Sequence, residues 1–199
     1  MDLSRRILDA ARQLLVSHGY EAVSMRRIAD QVGVTATSLY LHYDNKDALF
    51  QALVDEGMEM LFEHLSASIE NCDGEEERLE ALCRAYIDFG LENSEYYDLM
   101  FVIKPKHMER FPVENYRRAR RNLDLLIEAL VGDESGRATD TLRLRATIVW
   151  ASLHGTVSLI NARRVDRSLP EPALIGEAVD FVVGRLRYPG ASHSTRHAF

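Results

Sequence analysis

The chain has 199 residues, of which 46% are apolar and 28% are charged. This length is enough to bury a sizeable core, and the composition excludes a globally disordered protein. A formal net charge of −7 argues against a protein that coats DNA non-specifically. No apolar run approaches the roughly 20 residues that span a bilayer, so no membrane association is predicted. The two cysteines, Cys72 and Cys83, suggest reduced thiols in a cytoplasmic protein.

The charge is unevenly distributed along the chain. Residues 1–48 hold six basic and six acidic side chains, whereas residues 49–199 hold 18 basic and 25 acidic ones. An acidic body repels DNA, so any DNA contact is expected in the neutral head, residues 1–48.

Apolar residues recur at helical spacing almost throughout, and an all-helical protein is predicted. Ser24 and Thr35 have the character of N-caps, while Gly19 and Gly33 follow helices as stops. The tail, 189–199, lacks apolar periodicity and is expected to be disordered. In chain order, the predicted helices span residues 3–18, 24–32, 35–43, 45–69, 75–93, 95–104, 113–131, 138–164 and 173–187.

The stretch "MRRIADQVGVTATSLYLHY" has the spacing of a helix-turn-helix. Ala29 is placed where two helices cross closely, and Gly33 can adopt the left-handed backbone of a tight turn. Leu39 is predicted to point inward from the second helix. The outward positions of that helix carry small, hydroxyl and aromatic side chains, which suit contacts in a DNA major groove: Ala36, Thr37, Ser38, Tyr40 and His42.

Lys46 stands in the first turn of the long helix, where a cation opposes the helix dipole. A bound phosphate would explain this placement, because free amide groups and the ammonium would hold it together. The alternative is an ordinary solvated lysine.

The segment "ILDAARQLLVSHGYEAVSMRRIADQVGVTATSLYLHYDNKDALFQAL" resembles the DNA-binding head of the tetracycline-repressor (TetR) family of bacterial regulators. The resemblance implies an N-terminal three-helix head joined by a long helix to a ligand-binding and dimerisation body. It also implies that Tyr40 and Lys46 hold phosphates and that Ala36, Thr37 and His42 read bases. The full set of implied DNA-binding residues is Ser24, Thr35, Ala36, Thr37, Ser38, Tyr40, His42, Tyr43 and Lys46.

Two segments of the body, "NSEYYDLMFV" and "VWASLHGTVSLI", are similar to a C-terminal domain named for its Trp-His-Gly signature, here Trp150, His154 and Gly155. Aromatic, methionine and polar side chains at helical spacing are interpreted as lining an effector pocket, although core packing explains the same pattern. No supporting ligand accompanies His154, so no metal or other cofactor is predicted. The pocket candidates are Phe62, Tyr86, Phe89, Tyr96, Met100, Phe101, Trp150 and His154.

The last two long helices are rich in small and branched apolar residues, as expected of a four-helix interface between two copies. A head that reads a palindrome requires such a homodimer, because each half-site needs its own recognition helix. The predicted interface residues are Ala146, Val149, Leu153, Val157, Ile175, Val179, Val182, Val183 and Leu186.

These features predict a sequence-specific transcriptional repressor that a small-molecule effector releases from a palindromic operator. The predicted domains are a DNA-binding head (1–48), an effector-binding and dimerisation body (49–188) and the tail (189–199). One alternative is a regulator without a ligand, either constitutive or controlled by a partner protein. The other is an enzyme that uses the helical body, but no Ser-His-Asp arrangement, phosphate loop or metal motif supports catalysis.

Overall fold

The structure, a computed structural model, describes residues 2–101, 113–131 and 139–187, without the side chains of 113–119 and 185–187. Within these ranges every regular element is helical, which confirms the predicted fold class. The elements are α1 (Leu3–His18), a 3-10 turn (Tyr20–Ala22), α2 (Met25–Val32), α3 (Ala36–Tyr40), α4 (Lys46–Ile69), α5 (Glu75–Glu92), α6 (Ser94–Phe101), α7 (Val113–Val131), α8 (Asp140–Asn161) and α9 (Glu171–Arg187).

The helix boundaries agree closely with the predicted ones, except at the end of α3. That helix ends at Tyr40, because the backbone amides of His42 and Tyr43 both donate to the Leu39 carbonyl, at 3.0 Å each, and close a turn. The predicted tail, 189–199, lies outside the described residues.

The turn between α2 and α3 is the predicted helix-turn-helix turn. Gly33 has φ +77° and ψ 36°, and its amide donates to the Ala29 carbonyl at 2.9 Å. The amide of Val34 donates to the same carbonyl at 3.0 Å. A Cβ added at Gly33 would meet nothing within 4 Å. The left-handed backbone, and not a lack of space, therefore favours glycine here.

The core of the head forms where α1 packs on α2 and α2 packs on α3. Ile7, Ile28 and Leu39, one from each of these helices, are completely buried, as are Leu49 and Phe50 of α4. Burying a side chain of this size contributes about 1.5–3 kcal/mol. Leu39 therefore fixes which side of the short α3 faces inward, and this orientation decides which residues face solvent.

The chain divides into two compact units that differ from the predicted domains. Unit 1 comprises Met1–Phe62 with Asn93–Arg121, and unit 2 comprises Glu63–Glu92 with Asn122–Phe199. Unit 1 thus groups α6 with the head, and in unit 2 α5 packs on α8 and α9. The boundary at residues 48 and 49 stays a prediction about function.

Candidate nucleic-acid interface and effector site

The solvent-facing side of α3 carries most of the predicted DNA-binding residues. Leu39 is buried on the opposite side, Ser38 is half-buried and Tyr40 is 50% exposed. The remaining exposed residues of this group are Thr35, Ala36, Thr37 and His42.

Ser24 and Thr35 are the N-caps of α2 and α3. The Ser24 hydroxyl accepts a hydrogen bond from the Arg27 amide at 3.3 Å, and the Thr35 hydroxyl accepts one from the Ser38 amide at 3.2 Å. The Thr35 and Ser38 hydroxyls also lie 2.9 Å apart. Ser24 and Thr35 are exposed, so these caps fix the starts of α2 and α3 at positions that DNA can approach.

Tyr43 and Lys46 are half-buried, and each has a polar partner within the head. The Tyr43 hydroxyl lies 3.0 Å from the Ser4 hydroxyl on α1. The Lys46 ammonium donates to the Tyr20 carbonyl at 2.9 Å and lies 3.9 Å from the centroid of the Tyr20 ring. Burial lowers the pKa of Lys46. These two side chains brace the head, and their predicted DNA contacts stay predictions.

Most cations of the head already donate to acceptors in their own unit. Arg26, in the first turn of α2, is exposed and makes no hydrogen bond or ion pair with the described part of the chain. It is the kind of cation that a DNA phosphate would satisfy, and charge counting alone did not single it out. The engaged cations and their acceptors are Arg5 with Glu56, Arg6 with the Val32 carbonyl, Arg12 with Asp9 and Tyr96, Arg27 with the Ala22 carbonyl, and Lys46 with the Tyr20 carbonyl.

Leu41 is a surface residue that the sequence interpretation passed over. Its side chain is 83% exposed, compared with 50% for its neighbour Tyr40. Its position four residues after Thr37 would have indicated this, because such pairs share a helix face.

A polar network in unit 1 joins α1, α4 and α6. The Tyr96 hydroxyl of α6 donates to a Glu56 carboxylate oxygen of α4 at 2.8 Å, and it accepts from Arg12 of α1 at 3.4 Å. Arg5 of α1 donates to the other Glu56 oxygen at 2.6 Å. Asp9 completes the network by pairing with Arg5 and Arg12. Burial and the Glu56 contact raise the pKa of Tyr96 to about 12, so it remains a neutral donor.

Helix α6 packs against α4 at Gly57. A Cβ at this position would lie 2.6 Å from the Met100 sulfur and 3.0 Å from Cδ1 of Tyr96. Contacts this short do not occur between real side chains, so a larger residue at Gly57 would force the Met100 side chain to shift. The predicted pocket residues Tyr96 and Met100 are thus packed directly on α4.

The other pocket candidates of unit 1 have aromatic or cationic neighbours. The Arg121 guanidinium lies 4.1 Å from the centroid of the Phe62 ring and donates to Glu59 at 2.6 Å. The Phe101 and Tyr97 rings are 4.9 Å apart.

Unit 2 holds the remaining pocket candidates. The Trp150 indole donates to the Tyr86 hydroxyl at 2.8 Å, which links α8 to α5. Phe89 packs 6.1 Å from the ring of His64. His154 is half-buried, and burial lowers its pKa. Each unit therefore holds four of the eight candidates, and their role in binding an effector stays a prediction.

Most residues of the predicted dimer interface are already buried inside the single chain, and their part in an interface between two copies stays a prediction. The side chain of Ile175 is half-buried, and that of Leu186 lies outside the described residues. The opposite face of α8 carries Leu144, Ile148 and Leu159, each at least 53% exposed. The buried residues of the prediction are Ala146, Val149, Leu153, Val157, Val179, Val182 and Val183.

Residues 2–101, 113–131 and 139–187 also bear on two other kinds of site. No group of three or more His, Cys, Asp or Glu side chains is arranged to hold a metal ion there. In the same ranges no helix is long and apolar enough to cross a membrane.

Comparison with known proteins identifies relatives over most of the chain. Residues 7–53 match the family model described as bacterial regulatory proteins of the tetR family. Residues 79–186, more than half of the chain, match the model described as a tetracyclin repressor-like C-terminal domain. The Trp-His-Gly resemblance of the body stays a prediction beside this match.

Individual relatives agree with these models. YobS, an uncharacterized HTH-type transcriptional regulator of Bacillus subtilis, is 28% identical and covers 82% of this chain and 81% of its own. A solved structure of a protein of unknown function from Rhodococcus sp. RHA1 superposes with a TM-score of 0.79, at 23% identity, over 92% of this chain and 95% of that one. AibR, solved in complex with isovaleryl coenzyme A and operator DNA, superposes with a TM-score of 0.65 at 22% identity. The superposition covers 90% of this chain and 97% of that one.

Proposed function

The chain belongs to the TetR family of bacterial regulatory proteins, and we propose that it is a homodimeric repressor that a small-molecule effector releases from a palindromic operator. It is a DNA-binding transcriptional regulator by family. We propose in addition that it represses transcription, responds to an effector and forms a dimer. We also propose that it acts in the cytoplasm and is not an enzyme.

The observation that carries the proposal is the exposed face of α3 on a braced head. Leu39 anchors the helix, the Thr35 cap and the Gly33 turn fix its start, and the exposed side chains point away from the core. An α-helix held in this way fits a major groove with its N-terminal residues near base edges.

A homodimer is proposed because a palindrome presents two equivalent half-sites. We place its interface on the exposed stripe of α8, because Leu144, Ile148 and Leu159 fall within about 60° of one another around the helix axis. Gly155 lies on the same stripe, and a Cβ there would meet nothing within 4 Å in the single chain. Solvent-exposed apolar residues aligned in this way are typical of surfaces that a second copy covers.

The effector is proposed to act through α6. Within unit 1, Tyr96 connects α6 to the head helix α1, and the Gly57 contact leaves little freedom between α6 and α4. A ligand that displaces α6 would therefore strain the head. A 100-fold loss of operator affinity requires only about 2.7 kcal/mol of coupling.

The shared fold with AibR supports a ligand-responsive regulator, because that protein was solved with both isovaleryl coenzyme A and operator DNA. A regulator controlled by a partner protein remains the second candidate function, since each predicted pocket residue is also accounted for by packing.

The test is a gel-shift titration of the full-length protein against the DNA upstream of its own gene, repeated over a salt series. Tyr40→Ala is expected to weaken binding, and Leu169→Ala, at an exposed leucine outside the head, is the matched control. Selective binding with nanomolar affinity supports an operator-binding regulator. Equal micromolar affinity for the upstream fragment, for DNA selected in vitro and for unrelated DNA contradicts it.

The effector is tested with the same operator complex. Acyl-coenzyme A thioesters and aromatic acids are added, and dissociation is followed by fluorescence polarisation. Release by one compound, together with a higher melting temperature of the free protein, supports the ligand-responsive mechanism. Release only by a protein fraction favours partner control.

A further inference from the structure

The most exposed large apolar side chain of the head lies on its reading helix. Leu41 is 83% exposed, and its backbone, at φ −71° and ψ −19°, continues the helical geometry of α3 by one residue. Successive helical residues are rotated by about 100°. The direction pointing straight away from buried Leu39 therefore falls midway between Thr37 and Leu41.

The surroundings of Leu41 determine which chemistry it can recognise. Helical side chains lean toward the N-terminus, so the Leu41 isobutyl group is expected to lie toward the turn that carries the Thr37 methyl group. The other exposed residue of that turn is the small Ala36. No arginine or lysine lies between Thr35 and His42 to donate to guanine. The centre of this surface is therefore apolar, while Tyr40 and His42 supply polar groups beside it.

We propose that Leu41, together with the Thr37 methyl group, recognises the 5-methyl group of a thymine in each operator half-site. This inference rests on the proposed operator-reading function and specifies its sequence preference. In the major groove only thymine offers a methyl group, whereas the other bases offer hydrogen-bonding groups at the corresponding edge. Leucine would desolvate those groups without replacing their hydrogen bonds, so cytosine and the purines are disfavoured at the contacted position.

The expected energetic effect is modest but measurable. One buried methyl group corresponds to about a fourfold change in affinity for each half-site. Truncating Leu41 to alanine removes more apolar contact and is expected to weaken binding about tenfold.

The experiment begins with in vitro selection of duplex DNA by the full-length protein. Each thymine of the selected half-site is then replaced by uracil, which removes only the 5-methyl group. Affinities are measured for the wild type, Leu41→Ala and the matched control Leu169→Ala. Because Leu41 is exposed, its truncation is expected to leave the far-UV circular dichroism and the melting temperature unchanged, and Leu41→Met provides a second apolar variant.

The expected result is one thymine whose replacement weakens wild-type and Leu169→Ala binding about fourfold per half-site but weakens Leu41→Ala binding clearly less, because only the Thr37 methyl group is then left to contact it. 5-Methylcytosine at that position should be bound better than cytosine by the wild type only. The inference is overturned if every uracil replacement has the same effect on wild type and Leu41→Ala. The inference is also overturned if Leu41→Ala binds the selected DNA as tightly as the wild type does. In that case Leu41 would be available to contact a protein partner. Failure to select any sequence would instead refute the operator-reading function itself.

Discussion

Replacing Tyr96 by phenylalanine tests whether the hydroxyl joining α1, α4 and α6 stabilises unit 1. The substitution keeps the ring, which is only 7% exposed, and removes a 2.8 Å hydrogen bond to Glu56 and a 3.4 Å one from Arg12. A hydrogen bond to a charged group contributes about 1.5–3 kcal/mol. Glu56 keeps its bond to Arg5, and the Arg12 bond is long, so the loss is expected near or slightly below the lower end of this range.

We therefore expect Tyr96→Phe to lower the free energy of unfolding by about 1–2 kcal/mol. At about 2–4 °C for each kcal/mol in a chain of this size, the melting temperature should fall by about 2–8 °C. Urea and thermal unfolding, followed by circular dichroism, measure both quantities. Hydrogen exchange of the α1 amides should also become faster, because the network holds α1 against α6.

The matched control is Tyr40→Phe, the same chemical change at a half-exposed tyrosine. It is expected to alter stability by less than about 0.5 kcal/mol while weakening DNA binding. A double-mutant cycle with Glu56→Gln isolates the coupling between Tyr96 and Glu56. If the two substitutions are additive within about 0.5 kcal/mol, the network contributes nothing and the reasoning fails.

Four further predictions concern other parts of the molecule. Arg26→Ala should weaken binding to all DNA sequences similarly and reduce the slope of log affinity against log salt by about one per head; a sequence-dependent loss would contradict phosphate binding. Gly33→Ala should destabilise the head by about 1 kcal/mol or more in urea, because its φ of +77° is strained for alanine. Burial lowers the pKa of His154, so its stabilising contribution is present above pH 6.5 and is lost as the pH falls through the lowered pKa; the melting temperature of His154→Gln should therefore fall less between pH 7.5 and 5.5 than that of the wild type. Burial raises the pKa of Cys83 to about 12, so at pH 8 a thiol reagent should label Cys72 first and Cys83 only on unfolding.

Local features of the head could be predicted from the sequence because neighbouring residues determine them. The Ser24 and Thr35 caps each accept from an amide three residues away, and the Gly33 turn depends on the backbone preference of one residue. The inward position of Leu39 follows from the helical period. These interactions span fewer than ten residues, so their sequence patterns are complete within a short window.

The position of Lys46 depends on an interaction that no short window contains. Its ammonium bonds to the carbonyl of Tyr20, which is 26 residues away, and the intervening helices must be packed before the two can meet. A cation in the first turn of a helix indicated an unusual environment. That position alone does not tell whether the partner of the ammonium is a phosphate or a backbone carbonyl.

The sequence alone does not locate the dimer surface, because α8 is apolar on more than one side. Val149 and Leu153 recur at the same helical period as Ile148 and Leu159, and both sets satisfy the pattern of a buried stripe. Only the packing of α5 and α9 decides which set becomes the core of unit 2. Periodicity identifies a face, but it cannot rank two apolar faces of one helix.

The internal engagement of the head's cations has a consequence for how the protein finds its operator in a genome. Affinity for arbitrary DNA comes mainly from cations that displace counterions from phosphates. Here Arg5, Arg6, Arg12 and Arg27 hold acceptors of their own unit, so few cations remain for that exchange. On the proposed function, competing chromosomal sites would then retain a smaller share of the molecules, and fewer copies would be needed to keep an operator occupied.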